Sequence, residues 1–102
     1  MVETENKVWT EAEIKEMLQR SNHAVERGIV AIYKKQTAHE QAAEQTEVLN
    51  RVGFSAFHAK RGTYYAKWVL SGRHLTGQHL EKGRKLILHY AGQLTKISNK
   101  EI

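Results

Sequence analysis

Histidines, lysines and arginines are the side chains through which this chain could do chemistry, and they crowd into one stretch. Residues 72–80 read GRHLTGQHL, so Gly-x-His-Leu occurs twice, with Arg73 in one copy and Gln78 in the other. A metal is the first chemistry to weigh. Two histidines on one helix face need a spacing of three or four, and His74 and His79 are five apart. The chain has no cysteine and no aspartate, and Glu81 is the one acid close by. The ligand count falls short of a tetrahedral site, so neither a metal nor another cofactor is expected.

Anion binding fits the same residues better. The stretch leads into a helix start, where unpaired N–H groups and the positive dipole end favour phosphate. Gly72 and Gly77 let a ligand approach the backbone. Donors surround them: Arg73, His74, Gln78, His79, Lys82, Arg84 and Lys85, with Lys60, Arg61 and Lys67 upstream. From 51 to 85 there are eight Lys/Arg against one Glu. Phosphate contacts need many cations and no particular sequence. Of the neighbouring aromatics, Tyr64 and Tyr65 cannot both face inward at helical spacing. The outward one is a candidate to stack on a base. A helix-turn-helix would want a small residue four positions before the turn glycine, and Trp68 stands there, so groove reading is not the expected mode.

Catalysis has less to build on. His58, His74, His79 and the glutamates could move protons, but no nucleophile, base and orienting group share a recognisable pattern. Ser21, Ser55, Ser71 and Ser98 fall at caps, turns or the tail. The chain reads as non-enzymatic.

These residues sit on a chain of 102 residues, which suggests one domain with a modest core. Nothing in it reads as a leader or a membrane span, so a cytoplasmic protein without membrane contact is expected. Charge divides sharply. Residues 1–50 hold six Lys/Arg and nine Glu, net −3, and residues 51–102 hold ten and two, net +8. A basic half on a small domain is the footprint of a polyanion partner.

The periodicity predicts an all-α fold, a compact bundle of four to five short helices. Thr10 and Glu13 form a capping box, Trp9 and Ile14 a hydrophobic staple, and the first helix should run from Glu11 to Arg20. Val25, Ile29, Ile32 and Tyr33 carry a second helix, with Gly28 on the same stripe to admit a neighbouring helix. Thr37 and Glu40 look like another capping box, starting a third helix that buries Ala42, Ala43 and Leu49. Asn50 and Gly53 mark a break, with Val52 and Phe54 tucked inward. A fourth helix should place Phe57, Tyr64, Tyr65, Trp68 and Val69 on its apolar stripe and stop at Gly72. The last starts at Thr76 and buries Leu80, Ile87, Tyr90, Ala91 and Leu94 along one face. Residues 1–8 and 97–102 are expected to fray.

The stretch NRVGFSAFHAKRGTYYAKWVLSGRHLTGQHLEKGRKLILHYAGQL resembles a pattern in short, uncharacterised all-helical proteins of phages and other mobile elements. Segments similar to GFSAFHA, followed by a small-residue turn, Leu-Thr and a basic helix ending in Tyr-Ala-x-Gln-Leu, accompany phage helicase-like proteins. The likeness covers residues 50–94, with WTEAEIKEML and AVERGIVAIY resembling the front of the short family. It implies an accessory role on nucleic acid and carries over no catalytic residue. His58 stands where that pattern would have an acid.

The expected function is therefore a small nucleic-acid-binding accessory protein that contacts phosphates through its basic C-terminal half. The alternative is a phage- or plasmid-encoded module that binds and modulates a host or replication protein, anchored by Trp9 or Tyr33. A homodimer completed through the weakly amphipathic third helix is a further reading.

Overall fold

The capping box forms as the spacing demands. In this computed structural model, which describes residues 8–42 and 53–99 (side chains over 8–36 and 53–99), Thr10 Oγ1 accepts from Glu13 N at 3.2 Å, and Glu13 Oε1 accepts from Thr10 N at 3.1 Å. Helix α1 runs Glu11–Arg20 and buries Ile14 and Leu18. Ser21 then does two jobs. Its backbone is extended and its N–H caps Met17 O, while its hydroxyl accepts from Ala24 N to start the next helix. One residue thus turns the chain.

Helix α2, Asn22–Ala42, is longer than the sequence predicts. The expected break at Thr37 does not occur; the backbone stays helical through it. Capping boxes need a non-helical cap residue, and no glycine or proline here forces one. Tertiary contact favours continuation: Gln36 Oε1 accepts from Phe54 N at 2.8 Å, docking the 53–54 segment against this part of α2. The burial expected of Ala42, Ala43, Leu49 and Val52, and the turn at Asn50, lie outside what is described.

Helix α3 is Ala56–Leu70, α4 Gly77–Leu88 and α5 Ala91–Ser98. The described residues form these five helices and no strand. α2 is central, packing on α3 and α4, while α1 lies against α5. Val25, Ile29, Ile32 and Ile87 are fully enclosed. Gly28 admits its neighbour as expected: a Cβ there would lie 3.1 Å from both Ile87 Cγ1 and Leu94 Cδ1.

Two expectations are corrected at the C-terminal end. The last helix is broken at His89–Tyr90, where His89 N and Tyr90 N reach back only three residues, to Leu86 O and Ile87 O. The break lets Tyr90 bury its ring edge-on to Phe54 while its hydroxyl accepts from Ser55 N at 2.9 Å. The tail is also tied down further than expected. Asn99 pairs with the backbone of Trp9, accepting from its N–H at 2.7 Å and donating to its carbonyl at 2.9 Å.

Candidate nucleic-acid interface

Which way α3 faces is decided by one loop residue. The Phe54 ring covers Gly62 so closely that a Cβ there would lie 2.5 Å from it. That contact sets the inner face of α3 as Gly62, Tyr65 and Ala66, all buried. The opposite face goes to water. Phe57, expected in the core, is instead 89% exposed, and Tyr64 is 55% exposed. Of the two tyrosines, then, Tyr65 is core and Tyr64 points outward.

Phe57, Arg61, Tyr64 and Trp68 follow one another at steps of four, three and four, so they form a single row along α3. Tyr64 and Trp68 rings lie 6.1 Å apart at 34°, and Arg73 from the following turn holds its guanidinium 4.4 Å over the Trp68 ring. Lys60 and Lys67 run beside this row, both exposed.

Helix α4 lies antiparallel beside α3. Two ring contacts fix this: Tyr65 with His79 at one end, 5.8 Å between centroids, and His58 with His89 at the other, 5.2 Å. Gln78, Lys82, Lys85 and His89 make a second exposed row at the same four, three, four steps. Both rows flank the α3–α4 seam on its solvent side. The α3 sequence contains no acid, and Glu81 lies one turn before Lys85 on the flank of the α4 row away from the seam. Among the described residues, no ion pair engages Lys60, Arg61, Lys67, Lys82 or Lys85.

Other predicted site residues have structural work. Arg84 turns away from the seam: its Nε donates to Leu18 O at 2.8 Å, and Nη2 donates to Asn22 Oδ1. It satisfies a C-terminal carbonyl of α1 and ties α1 to α2. His74 is paired with Glu26, Nδ1 to Oε1 at 3.1 Å. Glu26 is only 6% exposed and also accepts from Leu75 N at 2.7 Å. This buried carboxylate holds the Gly72–Thr76 turn in place. Sequence reasoning passed over it, although its position one step from Val25 and three from Ile29 placed it on the inward stripe. His79 is turned to the Tyr65 hydroxyl, Nδ1 to Oη at 3.3 Å, and burial raises the pKa of that phenol.

A recess of about 40 Å³ opens between Tyr64, Tyr65, Trp68, His74 and His79. It holds a few waters at most, so it adds a niche to the surface and does not enclose a substrate. At the far end of the seam, His58 Nδ1 lies 2.7 Å from the Tyr90 hydroxyl. Its pKa is lowered, first by burial and then by His89 and Arg61. Among the described residues no three metal-ligating side chains converge, and every buried side-chain nitrogen or oxygen has a partner. Comparison with protein-family models, curated proteins and solved structures gives no significant match.

Proposed function

We propose that the chain is a small, non-enzymatic nucleic-acid-binding protein whose contact surface is the α3–α4 face. The supporting observation is one exposed face on which Lys60, Arg61 and Lys67 of the acid-free helix α3 and Lys82 and Lys85 of α4 stand with no ion pair to them among the described residues. Cations left without ion-pair partners on one face are suited to a chain of phosphates, which displaces counterions as it binds. The resemblance of residues 50–94 to segments that accompany phage helicase-like proteins points the same way. The rival anchors for a protein partner are weaker: Trp9 and Tyr33 both pack against the core.

The test is a salt titration of binding to labelled oligonucleotides. Wild type should bind with an affinity falling steeply in salt, by about 0.7 to 0.9 of a log unit per phosphate contact for each log unit of salt. Lys60→Glu with Lys82→Glu should abolish binding at moderate salt while the circular dichroism stays helical. Absence of binding by wild type at low salt would end this reading and return the surface to an acidic protein partner.

A further inference from the structure

A face that only reads phosphates has no use for exposed rings, yet this one carries two. Phe57 and Tyr64 stand two helical turns apart, roughly 10 Å along the axis, with Arg61 between them and Lys60 and Lys67 alongside. A phenylalanine 89% exposed, with one edge-on ring contact to His58 at 5.1 Å, adds little to the core. Duplex DNA seals its bases inside the helix, so rings laid against it would meet sugar and phosphate and lose water without a stacking partner. A single strand offers both things at once: base faces for the rings and phosphates for the cations beside them.

From this we infer that the face binds single-stranded nucleic acid, with two bases of one strand stacked on Phe57 and Tyr64. The row ends at Trp68, whose ring is already covered by Arg73 at 4.4 Å and whose Nε1 donates to His74 O at 3.0 Å. That guanidinium presents a flat cation to the next base or its phosphate. Glu26 fixes the turn that delivers Arg73, by accepting from Leu75 N and pairing with His74. The strand runs along α3, its phosphates lying over Lys60 and Lys67 on one side and over Arg61 and Lys82, toward the seam, on the other.

This inference rests on the nucleic-acid reading and fails separately from it. The experiment uses fluorescence anisotropy with oligo(dT) and oligo(U) of about 12 nucleotides, and a duplex of the same length. Wild type should prefer the single strands by at least roughly tenfold. Phe57→Ala and Tyr64→Ala should each weaken single-strand binding by about 5- to 150-fold, the range for losing one stacked base, and leave duplex binding unchanged. Both side chains are exposed, so unfolding is not at issue, and unchanged urea midpoints check this. If the duplex binds as tightly as the single strands and neither variant loses single-strand affinity, the inference is overturned while phosphate binding stands. No binding to any of the three probes overturns both.

Discussion

His58 sits where α3, the α4–α5 break and the basic seam meet, and its chemistry sets a pH dependence. Its Nδ1 faces the Tyr90 hydroxyl at 2.7 Å, with Ser55 Oγ at 3.5 Å, the tilted His89 ring 5.2 Å away and Arg61 close enough to lower its pKa. A folded-state pKa below the unfolded value of about 6.5 means that the unfolded chain binds the proton more readily. Stability present above that value is therefore lost as pH falls through it toward the folded pKa. Urea unfolding at about pH 7.5 and about pH 5.5 should show a drop for wild type that is smaller in His58→Gln. An equal drop in both would assign the acid sensitivity to other groups. Neighbouring Phe57 makes the opposite point. It shares a helix with buried Tyr65 and Ala66, yet it is 89% exposed and touches only the edge of His58 among the rings, which is why its proposed value lies in binding.

At the scale of the helices, the basic residues of α4 divide by direction. Lys82 and Lys85 face solvent, whereas Arg84 reaches across to Leu18 O and Asn22 Oδ1. Arg84→Ala should lower stability by about 1–3 kcal/mol, since it strips a charged donor from a helix-end carbonyl, and the folded variant should keep its nucleic-acid affinity. Lys85→Ala should do the reverse, leaving the urea midpoint in place and weakening binding. Paired denaturation and anisotropy measurements on the two variants separate the roles. If Arg84→Ala lost affinity without losing stability, the guanidinium would belong to the interface after all. The sequence made Arg84 and Lys85 look alike because both are cations on a basic helix. Only the packing of α4 on α1 and α2 tells them apart.

The whole molecule is closed by a clamp between residues 90 positions apart. Asn99 makes two hydrogen bonds to the Trp9 backbone, joining the start of α1 to the end of α5. Asn99→Ala should cost about 1–2 kcal/mol and red-shift the fluorescence of Trp9, best read in a Trp68→Phe background. An unchanged midpoint would mean that the α1–α5 packing holds the ends unaided. By itself the sequence determined what is local. The Thr10 capping box, the span of α1, the stop at Gly72, the close approach at Gly28 and the all-α class each follow from spacing or backbone chemistry within a few residues. Tertiary structure decided the rest, because it depends on contacts between segments far apart in the chain. Phe54 lying on Gly62 turned α3 so that Phe57 and Tyr64 face water. Gln36 bonding to Phe54 accompanies a helix that runs on through Thr37, and the burial of Tyr90 broke the last helix in two. Antiparallel packing of α3 on α4 then brought two rows, each unremarkable along the chain, onto one face whose lysines have no ion pair among the described residues.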